Sequence, residues 1–148
     1  MIKKLVKNFS KQDGWSFMET LIVIAIILIL TATVGIMGIA NLEKSRLAGA
    51  QVQIESFVTA LEAYYIDTGM YPTSEQGLKA LRVMPQTSPA PKNWGGPYIV
   101  KDPPKDPWGN DYEYITPGPD GNEYGIRSFG ADGIEGGSGK YADITSWN

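Results

Sequence analysis

The pattern of apolar and polar positions divides the chain into a basic start, an uncharged apolar stretch and a mixed remainder. Between Glu19 and Glu43 there are 23 residues without a formal charge, most of them apolar. A helix of about 20 such residues can cross the roughly 30 Å hydrocarbon core of a membrane. Residues 15–42 are therefore predicted to form a transmembrane segment, because too little chain follows to surround a helix that is apolar on every side.

The helical pattern continues beyond Glu43. Apolar residues recur there at spacings of three and four, as on the buried face of a helix; they are Ala50, Ile54, Phe57, Val58, Leu61 and Tyr65. All ten prolines lie at Pro72 or later, so no proline interrupts the helix before that position. The pattern predicts one helix over residues 16–66, about 75 Å long, which Gly69 and Pro72 end.

The chain after the helix has the signals of a small domain, which gives an α+β fold overall. Thr73 and, three residues later, Gln76 form a capping-box pattern, which predicts a short helix that buries Leu78 and Leu81. A proline-rich loop follows over residues 85–97.

Short strands are predicted after this loop. Three segments are rich in β-branched and aromatic residues, namely 98–100, 112–115 and 124–129. Between the last two, Asp120-Gly121-Asn122 is a hairpin turn signal. We expect a small antiparallel sheet that lies on the long helix and is followed by a glycine-rich loop over residues 130–139.

The distribution of charge predicts the orientation of the chain in the membrane. Four lysines against one aspartate give residues 1–14 a net charge of +3, whereas the other residues carry nine positive and fifteen negative side chains. Basic segments beside an apolar helix stay in the cytoplasm, so residues 43–148 are predicted to cross. A signal peptide cut after Gly38-Ile39-Ala40 is the alternative, but the apolar stretch is longer than a typical signal and the helical pattern continues through that point.

The composition removes most kinds of catalytic site. The chain contains no cysteine and no histidine, which excludes thiol nucleophiles, Ser-His-Asp triads and most zinc and iron sites. A phosphate-binding glycine loop followed by lysine is missing as well, so we expect neither ATP binding nor enzymatic activity. The net charge of −3 does not favour nucleic acid as a partner.

Glu19 stands at the edge of the apolar stretch, where an ionised carboxylate is costly unless it is paired or reaches water. The next 24 residues contain no lysine or arginine. Either the carboxylate reaches water at the headgroups, or its partner is made by cutting the chain. Cleavage after Gly14 would create a positive α-amino group at Trp15, one helical turn from Glu19 or next to Glu19 of a neighbouring copy.

Residues 14–21, Gly-Trp-Ser-Phe-Met-Glu-Thr-Leu, precede the apolar helix and resemble the class III leader of type IV pilins and pseudopilins. The resemblance implies that a prepilin peptidase removes the leader, residues 1–14, by cutting after Gly14 on the cytoplasmic side. It also implies that Trp15 becomes a methylated N-terminus and that Glu19 is needed for assembly. Two positions depart from the usual pattern, since Trp15 stands where Phe is usual and Ile36 where many pilins have proline.

Four motifs follow in order along the rest of the chain, at residues 71–81, 106–109, 130–133 and 142–147. Together they resemble the protein G family, the major pseudopilins of the type II secretion system. The resemblance implies a pilin-like fold and a subunit that polymerises into a helical periplasmic pseudopilus, which drives export of folded proteins across the outer membrane. Before assembly the chain would span the bacterial inner membrane once, with its N-terminus in the cytoplasm and a periplasmic domain over residues 43–148.

The implied partners are other copies of the chain, minor pseudopilins, the prepilin peptidase, the inner-membrane assembly platform and, before assembly, membrane lipid. Two other functions stay open. The chain could be a type IV pilin or a minor pseudopilin, or it could be a membrane-anchored or secreted calcium-binding domain that does not polymerise.

Membership of this family implies a calcium ion in the C-terminal loop. The loop offers carboxylates, a hydroxyl and flexible glycines, which suit calcium, but its spacing is not that of an EF-hand. From composition alone, an ordinary solvated loop is the favoured interpretation, and only the resemblance reverses that preference. The ligands that the resemblance implies are the side chains of Asp132 and Asp143 and the backbone oxygens of Phe129, Ile134 and Ser138.

Three charged residues, Glu43, Lys44 and Arg46, come just after the predicted membrane segment. They form either a solvated helix face or salt bridges between subunits, since a helical fibre brings the same segment of adjacent copies together.

Overall fold

In the computed structural model the described residues are 15–147, apart from the side chains of residues 33–38 and 40. The predicted cleavage residue Gly14 and the side chain of Ile36 therefore lie outside the description. The chain divides into two compact units, residues 1–40 and 41–148. Helix α1, Phe17–Thr68, contributes to both units and includes Gly35 and Gly38, so the predicted helix over residues 16–66 is confirmed.

The first unit is the N-terminal part of α1. The helix begins after Ser16, whose Oγ accepts a hydrogen bond from the backbone N–H of Glu19 at 3.2 Å, as a helix N-cap does. Large apolar side chains are exposed along this part, for example Phe17 at 79% and Leu28 at 65%. Within the described residues, no helix combines the length and the hydropathy needed to cross a membrane.

The second unit is organised around the C-terminal part of α1. Its large buried helix side chains and Ala50 follow spacings of four and three, namely Ala50, Ile54, Phe57, Leu61 and Tyr64, and Ala60 is buried beside Leu61. The predicted stripe is confirmed except at its end, because Tyr64 is fully buried whereas Tyr65 is 40% exposed. Tyr64 continues the spacing from Leu61 by three residues, which keeps it on the buried face.

The predicted capping box is confirmed at the start of the next segment. The backbone N–H of Thr73 donates to Gln76 Oε1 at 3.1 Å, and the N–H of Gln76 donates back to Thr73 Oγ1 at 3.2 Å. The chain makes a turn there and enters a short 3-10 helix, Leu78–Leu81, in which Leu78 and Leu81 are buried.

A three-stranded antiparallel sheet packs on this core in the order β1-β2-β3. Its strands are β1, Glu113–Ile115, β2, Gly125–Ser128, and β3, Ile144–Thr145. The register pairs Tyr114 with Ile126 and Ser128 with Ile144. Tyr114 and Ile126 are buried against α1, so this face of the sheet completes the core.

Two predictions about the sheet are wrong. Residues 98–100 do not form a strand, because the N–H of Tyr98 donates to Leu81 O at 2.8 Å and its hydroxyl to Asp67 Oδ2 at 2.8 Å. These bonds hold the segment to the 3-10 helix and to α1 instead of to a strand. The two-residue strand β3 is missing from the prediction.

Candidate functional site

The loop between β2 and β3, residues 129–143, contains all five predicted calcium ligands. Both ends of the loop are fixed, because the strands on either side pair with each other. At its start Gly130 has a φ of +64°, and a Cβ added there would lie 2.8 Å from Ala142 O. Glycine therefore allows the two ends of the loop to approach closely. Residues 132–140 between them are exposed.

Asp143 is the most buried acidic side chain of this loop, at 14% exposed. Its Oδ2 accepts a hydrogen bond from the N–H of Gly136 at 3.0 Å. Its Oδ1 is buried and has no hydrogen-bond partner within the described part of the chain. A buried carboxylate oxygen without a partner is unfavourable, so this atom is where a cation would contribute most.

The other predicted ligands lie in the same loop. Asp132 is exposed, and its Oδ1 accepts the N–H of Ile134 at 3.2 Å. The carbonyl of Ser138 accepts the N–H of Tyr141 at 3.2 Å. No cluster of three or more acidic, histidine or cysteine side chains suited to a metal occurs in residues 15–147 as described. The predicted set instead combines two carboxylates with three backbone oxygens. Calcium binding therefore stays a prediction.

Arg127, on β2, lies beside the loop and is not among the residues that the sequence predicts for the site. Its Nε and Nη2 donate to Glu113 Oε2 on β1 at 2.9 and 2.6 Å. Its Nη1 donates to Glu135 Oε1 at 2.6 Å and lies 3.8 Å from Asp143 Oδ2. Its guanidinium also lies over the ring of Phe129, 4.6 Å from the centroid. The only sequence signal is a charged residue inside the predicted strand segment 124–129.

The side chain of Arg127 is 15% exposed. Burial opposes its charged form, but the hydrogen bonds to Glu135 and Glu113 outweigh burial and raise the pKa of Arg127. The guanidinium is therefore a permanent positive charge beside the loop.

A turn over residues 106–110 supports the start of the loop. The buried carboxylate of Asp106 accepts the hydroxyl of Ser128 at 2.6 Å and the N–H groups of Trp108 and Asn110 at 3.0 and 2.8 Å. Asn110 Nδ2 in turn donates to Gly130 O at 3.3 Å. This network links the Asp106 turn to the residues that lead from β2 into the loop.

The three charges at the start of the second unit do not behave alike. Glu43 Oε1 accepts Arg46 Nη1 at 2.9 Å, and its Oε2 accepts Trp108 Nε1 at 3.3 Å. Lys44 is exposed and makes no ion pair with any described residue. Glu43 and Arg46 therefore have partners inside one subunit, whereas Lys44 remains accessible to another molecule.

Trp15 and Glu19 lie at the described N-terminal end. Trp15 is 68% exposed and precedes α1, and the backbone of Glu19 is part of the Ser16 cap. Ser16 and Glu19 thus form one half of a capping box, in the spacing Ser-x-x-Glu, which sequence reasoning also missed. An acidic side chain in the first turn is favourable near the positive end of the helix dipole.

The chain is similar over most of its length to proteins of one kind. The family model described as "Type II secretion system (T2SS), protein G" matches residues 38–147. A type II secretion system core protein G from Vibrio cholerae is 41% identical, over 97% of this chain and 97% of its own. Another from Pseudomonas aeruginosa is 38% identical, over 93% and 96%. The crystal structure of the major pseudopilin from the type 2 secretion system of enterohaemorrhagic Escherichia coli has a TM-score of 0.62 and 34% identity, over 74% of this chain and 92% of that one.

Proposed function

The chain belongs to the protein G family of the type II secretion system, and we propose that it is a structural subunit that polymerises into the periplasmic pseudopilus of that system. The observation that carries this function is the family match over residues 38–147. It is supported by the pilin-like α+β fold, which the chain shares with a major pseudopilin. A sequence without cysteine or histidine agrees with a structural role and not a catalytic one.

We further propose that a prepilin peptidase cuts after Gly14 and that residues 15–42 anchor the chain in the inner membrane before assembly. The uncharged apolar stretch and the basic leader support this step. Ser16 would remain as the helix cap after cleavage, so the new N-terminus at Trp15 would lie directly before an intact helix. Its α-amino group would lie near Glu19 and compensate that carboxylate.

The exposed apolar side chains of the first unit indicate how assembly proceeds. Large contiguous apolar surfaces are buried by lipid or by protein in functional states. Phe17 at 79% and Leu28 at 65% exposed belong to such a surface. In the proposed cycle lipid covers it first, and the same segment of neighbouring copies, together with minor pseudopilins, replaces the lipid on an inner-membrane assembly platform.

Intact-mass analysis of the full chain recovered from membranes tests the processing step. We expect a polypeptide that starts at Trp15 and carries one methyl group. An uncut chain starting at Met1, or a start at Asn41 after signal-peptide cleavage, would contradict it. Gly14→Val is the variant expected to block cleavage and filament formation together. Gly49→Ala, where an added Cβ makes only an ordinary contact, should leave cleavage intact.

We also propose that the C-terminal loop holds a calcium ion. The buried, unpartnered Oδ1 of Asp143 fits a cation, and Asp132 with the carbonyls of Phe129, Ile134 and Ser138 would supply the other oxygens. Such an ion would fasten a glycine-rich loop to the sheet and make the subunit rigid enough to stack. Chelation should lower both the melting temperature and the protease resistance of residues 40–148, and a protein unchanged in both would count against the site.

A further inference from the structure

We propose that Arg127 is an internal cation that holds the C-terminal loop in the calcium-free protein and weakens calcium binding by its charge. This inference rests on the calcium site of the proposed function. Arg127 would then be a residue that determines affinity, while the ligands themselves are the oxygens of the loop.

The position of the guanidinium is fixed from outside the loop. Two of its nitrogens donate to the same carboxylate oxygen of Glu113 on β1, and the pair lies in register in the sheet. With a side chain that is 15% exposed and a ring contact to Phe129, Arg127 has little freedom to turn away. A charge held in this way remains beside the loop whether or not an ion is bound.

From this position Arg127 contacts two of the three acidic residues of the loop. Nη1 donates to Glu135 at 2.6 Å and lies 3.8 Å from Asp143 Oδ2. It therefore compensates the Oδ2 side of Asp143, whereas Oδ1 stays buried without a partner. Three carboxylates, Glu113, Glu135 and Asp143, surround one guanidinium, which leaves an excess of two negative charges before Asp132 is counted. One divalent ion would balance that excess.

The same geometry brings two cations close together. A calcium ion held by Oδ1 would share the Asp143 carboxylate with the guanidinium, whose Nη1 lies 3.8 Å from Oδ2. Repulsion between charges of +2 and +1 separated by about 7 Å weakens binding by about tenfold, even with the dielectric constant of water. Arg127 thus stabilises the calcium-free loop and opposes the ion. Its removal should lower the stability of the calcium-free protein and raise the affinity for calcium.

The experiment is a calcium titration by isothermal calorimetry on the full chain in detergent micelles, with thermal unfolding measured in chelator. For R127M we expect a calcium Kd about tenfold lower than wild type, together with a lower melting temperature in chelator. R127K keeps the charge but loses the double hydrogen bond, so it should melt earlier while its Kd stays within about threefold of wild type. R82M is the matched control, because the Arg82 side chain makes no hydrogen bond or ion pair with the described residues.

The outcomes separate the two proposals. A wild-type chain that binds no calcium overturns the calcium site and this inference with it. If the wild-type chain binds calcium and R127M binds it equally well or more weakly, only the proposed role of Arg127 is overturned. Arg127 would then contribute to stability alone. Should R127M fail to fold, R127Q removes the charge while its amide can still donate to Glu113, and the same tenfold tightening is expected of it.

Discussion

Trp108 and Glu43 are joined by a hydrogen bond between the turn at residues 106–110 and α1, with Nε1 donating to Oε2 at 3.3 Å. The other oxygen of Glu43 accepts Arg46 at 2.9 Å. Both oxygens of this carboxylate are therefore used inside the subunit. Glu43 therefore stabilises the folded domain, while its neighbour Lys44 makes no ion pair with a described residue.

Replacement of Glu43 should consequently destabilise the subunit itself. We expect Glu43→Ala to lower the free energy of unfolding by about 1–2 kcal/mol, because it removes one partly exposed ion pair and one indole hydrogen bond. Lys44→Ala, one residue along the same helix, should stay within about 0.5 kcal/mol of wild type. Chemical denaturation of the full chain in micelles measures both values. A Glu43 variant of normal stability that fails to assemble would instead place this carboxylate between subunits.

Asp106 should be the acidic residue on which the fold depends most. Asp106→Ala leaves the Ser128 hydroxyl and the N–H groups of Trp108 and Asn110 without their acceptor, and we expect a loss of about 3 kcal/mol. Asp111→Ala is the matched control, since its carboxylate is 84% exposed and lies 3.5 Å from an exposed Lys105. Denaturant unfolding should show the large loss only at Asp106, and equal effects of both changes would contradict the network.

Alkaline pH should destabilise the second unit through its buried tyrosines. Burial, and then the negative charge of Asp106, raise the pKa of Tyr112 to about 12. Burial likewise raises the pKa of Tyr114 and Tyr124. Because an unfolded tyrosine ionises near pH 10, the unfolded state loses protons before the folded state does. The stabilisation is complete below about pH 10 and is lost as the pH rises towards about 12.

Melting temperatures between about pH 10 and about pH 12, with tyrosinate absorbance recorded in parallel, test this alkaline loss of stability. Tyr112→Phe should make the alkaline decline shallower. A melting temperature that stays constant up to about pH 11 would argue against the shifts.

Gln76 should control the order of the proline-rich loop. Its Nε2 donates to the carbonyls of Thr87 and Pro89 at 3.0 and 3.1 Å, while Oε1 completes the capping box. Gln76→Glu keeps the cap acceptor but sets a carboxylate against two carbonyl oxygens, which should cost about 1–3 kcal/mol. Limited proteolysis should then cut within residues 85–97, whereas the exposed Gln86→Glu should be digested like wild type.

The parts of the fold that depend on neighbouring residues could be predicted from the sequence. The spacing of Ile54, Phe57 and Leu61 is enough to define the buried face of α1, and Thr73 with Gln76 defines the cap before the 3-10 helix. The prediction that Tyr65 lies on the buried face is wrong, because a shift of one residue turns a side chain by about 100° around a helix. Only the packing of the domain decides between Tyr64 and Tyr65.

The sheet and the loop depend on distant residues, so the sequence was less informative there. Ile144 and Thr145 form a strand only because β2 pairs with them, and two residues carry no period of their own. Tyr98 has the composition of a strand residue, yet Leu81 and Asp67 take its hydrogen bonds. At the candidate site, the apolar pattern of β2 shows that Arg127 faces away from Ile126, but the contacts to Glu113 and Glu135 require the folded chain.

The shortness of the sheet has a consequence for a subunit that polymerises. Both edge strands, β1 with 3 residues and β3 with 2, offer very few backbone groups to a foreign strand. Long exposed edges are the usual template for amyloid-like aggregation, and short ones suppress it. A crowded population of these subunits can therefore associate through helices and side chains with little competition from irreversible fibril growth.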